Sequence, residues 1–121
     1  MMEHIATLRL TLVRSTVDEA VFSPNYQREL SQFYQLVRAD RTRISAVSFT
    51  MPGVADDRGF TGEFVVPLAQ AIGPTVARAA LAWRQGRTGR IVRLTLNTHE
   101  FDIGTPEEFE ALLKRAQGGI V

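Results

Sequence analysis

The sequence predicts an α+β domain built as a two-layer sandwich. A mixed four-stranded sheet carries helices on one face, in the order β-α-β-(α,α)-β-β-α. Three observations predict it. Leu8, Leu10 and Leu12 alternate with Thr7, Arg9 and Thr11, the period of two of a half-buried strand. Apolar residues then recur at helical spacing over 24–37. Near the end of the chain two short alternating runs meet at Asn97-Thr98 and are followed by a helix-start signal.

The first strand is expected over Ile5 to Arg14. A helix follows with Ser23 as N-cap and Pro24 at its first position, and Tyr26, Leu30, Phe33, Tyr34 and Val37 form one docking stripe ending near Asp40. The second strand is expected over Ile44 to Met51, stopped by Pro52-Gly53. Residues 52–62 (PGVADDRGFTG), with three glycines and two adjacent acids, read as a loop. Next comes a bipartite helical region, 63–72 and 74–85, divided by Gly73-Pro74 because proline breaks a continuous helix, with Gly86 as its stop.

The third strand is Arg90 to Leu96 and the fourth is His99 to Ile103. A two-residue turn sets their register by counting: Leu96 opposite His99, Leu94 opposite Phe101 and Val92 opposite Ile103 on the buried side. On the outer side Thr95 then meets Glu100, and Arg93 meets Asp102. The final helix opens with the capping box Thr105-Pro106-Glu107-Glu108. It docks through Phe109, Leu112, Leu113 and Ala116, and Gly118-Gly119 releases the chain. Two helical crossovers imply parallel neighbours in the sheet, and the order lacks the central hairpin of a ferredoxin-like fold. The whole chain, 1–121, reads as one domain with residues 117–121 frayed.

Composition narrows the function classes. Fourteen basic residues against 13 acidic ones leave a formal net charge of +1, so no global field draws the chain to nucleic acid or membrane, though a local basic patch can still act. The absence of cysteine excludes disulfide scaffolds, thiol catalysis and cysteine-ligated zinc, and with only His4 and His99 a multi-histidine metal site is not expected. Met1-Met2-Glu3-His4 shows no secretory signal, and the apolar stretch Phe64 to Trp83 is broken by Gln70, Gly73-Pro74 and Arg78. A cytoplasmic protein without a membrane span is the expectation.

Phosphate-loop, dinucleotide, G-x-S-x-G and H-E-x-x-H patterns do not occur. His99 and Glu100 are strand neighbours whose side chains point apart, so they make no catalytic dyad. Asp56-Asp57 alone is too few ligands for a cation. No catalytic residue, cofactor site or metal site is predicted, and the chain reads as a non-enzyme.

What stands out is arginine. Arg78, Arg84, Arg87, Arg90 and Arg93 surround the turn Trp83-Arg84-Gln85-Gly86-Arg87, and Arg9 joins them from an exposed sheet face shared with Thr7, Thr11, Thr95, Glu100 and Asp102. These six arginines are the candidate partner-binding residues. The plain reading of the cluster is a helix end decorated with solvated arginines that complement the helix dipole, and if it binds, an acidic protein surface is the favoured partner. The alternative is a nucleic-acid-binding module using the arginine-rich turn around residues 78–93, weakened because the face offers no aromatic on which bases would stack. Edge strands on an open sheet are also compatible with a homodimer.

The segment Ile72 to Gln117 resembles the effector-associated constant component family of small bacterial proteins. The resemblance rests on LAWRQGR (Leu81–Arg87), RIVRLTL (Arg90–Leu96), HEFDI (His99–Ile103) and TPEEFEALLKRA (Thr105–Ala116), and the opening strand LRLTLV (Leu8–Val13) suits the same layout. It implies a non-catalytic adaptor that works beside a partner effector protein in a bacterial conflict or immune system. It supplies no catalytic residues.

Overall fold

The computed structural model describes residues 7–40, 43–50, 58–67, 74–96 and 98–118. Along the chain these form β1 (Thr7–Val13), α1 (Pro24–Ala39), β2 (Ser45–Thr50), β3 (Arg58–Pro67), α2 (Pro74–Gln85), β4 (Ile91–Leu96), β5 (His99–Ile103) and α3 (Pro106–Gly118). The strands make one five-stranded sheet in the order β2-β3-β1-β4-β5, and every neighbouring pair is antiparallel. The α+β class and the helices packed on the sheet agree with the sequence reading. The strand count and the mixed pairing do not.

Both differences have one source, β3. Residues 58–62 were expected to be loop and 63–67 helix, yet together they form the strand that enters between β2 and β1. A strand inserted there makes every contact of β1 antiparallel, and it supplies the central hairpin that the sequence reading lacked. Strands β1 to β4 therefore have ferredoxin-like topology, extended by β5 and α3. Residues 51–57 and 68–73, including the expected Asp56-Asp57 and the remainder of the first helical piece, lie outside the described residues. So do His4 and Asn97.

The alternation that defines β3 is present but interrupted. Gly62, Phe64 and Val66 are buried, while Thr61, Glu63 and Val65 face outward. Gly62 has φ +100, and a Cβ there would stand 2.8 Å from the Leu12 carbonyl oxygen. Only glycine lets the strand pass β1 at that distance in that conformation. Gly62→Ala is expected to destabilise the fold by about 1–3 kcal/mol, measured by urea unfolding.

The core lies between the sheet and the three helices. Leu8, Leu10 and Leu12 from β1, Phe64 and Val66 from β3, and Val92, Leu94 and Leu96 from β4 form its sheet side. Helix α1 adds Tyr26, Leu30, Phe33 and Val37, with the Ser23 hydroxyl accepting from the Tyr26 amide as foreseen. An aromatic cluster joins α1 to β3, with Phe33 and Phe64 ring centroids 5.0 Å apart and Tyr34 and Phe60 5.4 Å apart. The Gln27 side-chain amide completes that seam: its Nε2 donates to the Phe60 carbonyl at 2.9 Å, and its Oε1 accepts from the Phe60 amide at 2.8 Å. It acts as a substitute strand partner for a backbone that would otherwise be left unpaired.

The carboxyl-terminal half follows expectation closely. The β4–β5 register is the one counted from the sequence, from Val92 opposite Ile103 to Leu96 opposite His99. Arg93 and Asp102 pair across it at 2.8 Å. His99 departs from the reading: it is exposed, because it closes the hairpin at its solvent end, while Leu96 across from it is buried. The capping box forms in both directions, with the Glu108 amide donating to the Thr105 hydroxyl at 3.2 Å and the Thr105 amide to the Glu108 carboxylate at 3.1 Å.

Candidate functional site

The arginines that cluster in sequence separate in space. Arg9 and Arg93 lie on the open sheet face, on the alternate positions to the buried Leu8, Leu10, Val92 and Leu94. Each is matched there by a carboxylate: Arg9 with Glu63 at 3.8 Å, Arg93 with Asp102 at 2.8 Å. Arg78 and Arg84 belong to α2, where six residues of separation place them about 120° apart around the helix. Arg78 is exposed and Arg84 half-buried, and Arg87 is exposed on the turn after the helix.

Arg90 corrects the sequence reading. Expected on the surface, its side chain is 0% exposed and forms the centre of a buried ion pair. Its Nε lies 3.0 Å and 3.2 Å from the two Asp18 carboxylate oxygens, and its Nη2 approaches Oδ1 at 2.7 Å. Its Nη1 donates to the Trp83 carbonyl at 2.8 Å and meets Glu29 Oε1 at 2.9 Å. The guanidinium also lies 4.5 Å from the centroid of the Trp83 ring, within cation–π range. One side chain thus ties α2, α1 and the β1–α1 loop to the start of β4.

The loop is shaped to receive it. After β1 the chain turns at 15–18: the Ser15 amide donates to Asp18 Oδ2 at 2.9 Å, the Val17 amide to the Ser15 hydroxyl at 3.2 Å, and the Asp18 amide to the Ser15 carbonyl at 3.2 Å. These bonds point the Asp18 carboxylate inward. The second turn, 86–89, packs on the first so closely that a Cβ on Gly89, at φ +93, would sit 2.9 Å from Ser15 Cβ. Arg87 leans over the junction with its Nε 3.4 Å from Asp18 Oδ1.

Electrostatics follow this geometry. Hydrogen bonds from Arg90 hold the Asp18 carboxyl below its usual value of 3.8, against the opposing effect of burial. For Arg90, burial acts to lower the pKa, but the bonds to Asp18 and Glu29 outweigh it and the group is held more firmly protonated. Burial pushes the Tyr26 phenol up to about 12, helped by the nearby Asp18 charge, so it stays neutral. The two side chains are buried: Asp18 is 1% exposed, and their outer partners Glu29, at 38%, and Arg87, at 50%, reach the surface. A group buried and mutually neutralised in this way organises structure.

What the clamp organises is the surface above it. Arg84, Gln85, Arg87, Thr88 and Ile91 line an open groove around the turn. Beside it the 15–22 loop, held by Asp18, exposes Val17 and Phe22 to solvent, 64% and 57%. Of the candidate arginines, Arg84 and Arg87 therefore share one surface and Arg9 and Arg93 another, while Arg90, which also borders the groove, keeps its side chain buried. Asp18 and Glu29 were missed from the sequence because they lie 72 and 61 positions from Arg90. A signal for Arg90 itself was present: counting back by two from Leu96, Leu94 and Val92 places it on the buried side.

Among the described residues no group of three metal-ligating side chains occurs, and no helix is long and apolar enough to cross a membrane. No family model, curated protein or solved structure matches this chain.

Proposed function

We propose that the protein is a non-catalytic adaptor that binds a partner effector protein, in the bacterial conflict setting that its resemblance to the effector-associated constant component family implies. The observation that supports this is the buried Asp18–Arg90 pair. It locks two turns together, with Arg87 held against Asp18 at 3.4 Å and Val17, the residue before Asp18, exposed to solvent. Arginine set among exposed apolar side chains is the composition of protein recognition surfaces. It also favours a protein over nucleic acid as the partner. Arg78, Arg90 and Arg93 do not converge with Arg84 and Arg87 on one phosphate-binding track.

The test is capture from nuclease-treated lysate of the native host, comparing the wild type with an Arg84→Glu, Arg87→Gln variant. Glutamine is chosen at 87 because a carboxylate there would repel Asp18, 3.4 Å from the arginine it replaces. The expected result is one stoichiometric protein whose recovery falls about tenfold or more in the variant, at unchanged Tm. Equal recovery by both proteins overturns the proposed surface. Nucleic acid retained before nuclease treatment, with affinity falling steeply as salt rises, would instead support the nucleic-acid alternative.

A further inference from the structure

The far edge of the sheet carries a second surface, separate from the arginine turn. β5 is the last strand in the order, and among the described residues no strand pairs with its outer side. In an antiparallel ladder every second residue of an edge strand turns its N–H and C=O outward, a template for another extended chain. Native edges are commonly blunted by charge or covered. Here the edge opens into a groove between β5 and α3, whose helix-side wall is apolar, formed by the half-buried Phe101 and by Leu112.

The carboxylates around this groove are not equally free. Glu100 and Asp102 project from β5 toward the open sheet face and Glu108 stands at the start of α3, but Asp102 is already paired with Arg93 at 2.8 Å, which leaves Glu100 as the β5 carboxylate without an ion pair among the described residues. Two faces of the same edge therefore differ by the period of the strand. A chain added beside β5 would set alternate side chains against Phe101 and Leu112 on the helix side, and the intervening ones against Glu100 and Asp102 on the open side. β2, the opposite edge, has the sequence SAVSFT and offers no such charge.

We infer that the β5–α3 edge binds an extended peptide segment of another protein by strand addition, the segment alternating apolar and basic residues. Its apolar side chains enter the groove, and its basic ones pair with Glu100. This surface does not depend on the arginine turn, so either can fail alone.

The experiment uses the full chain and two fluorescein-labelled peptides, one alternating arginine with valine and a twin alternating glutamate with valine. The arginine peptide is expected to bind saturably and about tenfold or more tighter than its twin, and to protect alternate β5 amides from hydrogen exchange. Glu100→Lys, which reverses charge at an exposed position, and Ala111→Trp, which fills the groove from an exposed helix position, are each expected to weaken it by about tenfold. An Arg87→Gln protein is expected to bind it within about twofold of wild type. Equal affinity for the two peptides, protection appearing on β2 or on the 84–90 turn, or β5 protection that appears without peptide and rises with protein concentration would each overturn the inference, the last by giving the edge to a second copy.

Discussion

Replacing Asp18 with alanine will destabilise the protein by about 3–5 kcal/mol, as will Arg90→Leu, because each removes the other's main buried partner and leaves Arg90 only Glu29, or Asp18 only Arg87. The penalty is asymmetric. Removing both charges together, as in Asp18→Leu with Arg90→Met, is expected to cost less than the sum of the single changes, since no buried charge of the pair is left behind, although the Ser15 amide and the Trp83 carbonyl lose their partners. The coupling is read from a double-mutant cycle by urea unfolding. Single losses below about 1 kcal/mol would mean that the pair is hydrated and does not clamp the two turns.

The sign of its pH dependence follows. The Asp18 carboxyl is depressed in the folded protein, so its contribution is fully present above the ordinary value of 3.8 and is lost as pH falls through the folded value. The stability gap between wild type and Asp18→Asn will be constant near neutrality and close progressively below pH 3.8. A gap that persists unchanged through that acid range would show that the charge is not what holds the loop.

The second large effect lies in β3. Phe64→Ala will cost about 3–5 kcal/mol, because the ring is fully buried and packs on Phe33, Tyr34 and Phe60 at centroid distances of 5.0, 6.0 and 6.1 Å. Val65→Ala, one residue on but on the open face, is expected to cost only about 1 kcal/mol or less. Thermal or urea unfolding of the two variants checks the contrast. Equal losses at 64 and 65 would contradict the strand, since adjacent strand residues cannot share a face.

These two sites are also where sequence reading and structure part. The elements at either end of the chain were legible because their signals are local. Leu8, Leu10 and Leu12 alternate without interruption, Ser23-Pro24 marks a helix start, and Thr105 with Glu108 closes a box three residues wide. The β4–β5 register was countable because a two-residue turn leaves no freedom in pairing. β3 was misread because Gly59 and Gly62 look like loop residues, and the apolar run that starts at Phe64 lies just ahead of a true helix, from which only Gly73-Pro74 divides it. The glycine that obscures the strand is the one that lets it pass Leu12.

The candidate site divides the same way. Arg84 and Arg87 were legible as surface arginines at a helix end, since charge beside a glycine stop has few other places to go. That Arg90 is not one of them was decided by the partner waiting across the fold. By itself the sequence determined the α+β class, the three long helices' positions, four of the five strands and the polar open face, all set by periodicity and caps within a few residues. Only the tertiary structure decided that the sheet is wholly antiparallel, that Asp18 and Arg90 meet across 72 positions, and that the arginines part onto separate surfaces. Propensity and periodicity act over one or two turns of chain, whereas a buried charge is tolerated only where distant segments together satisfy it.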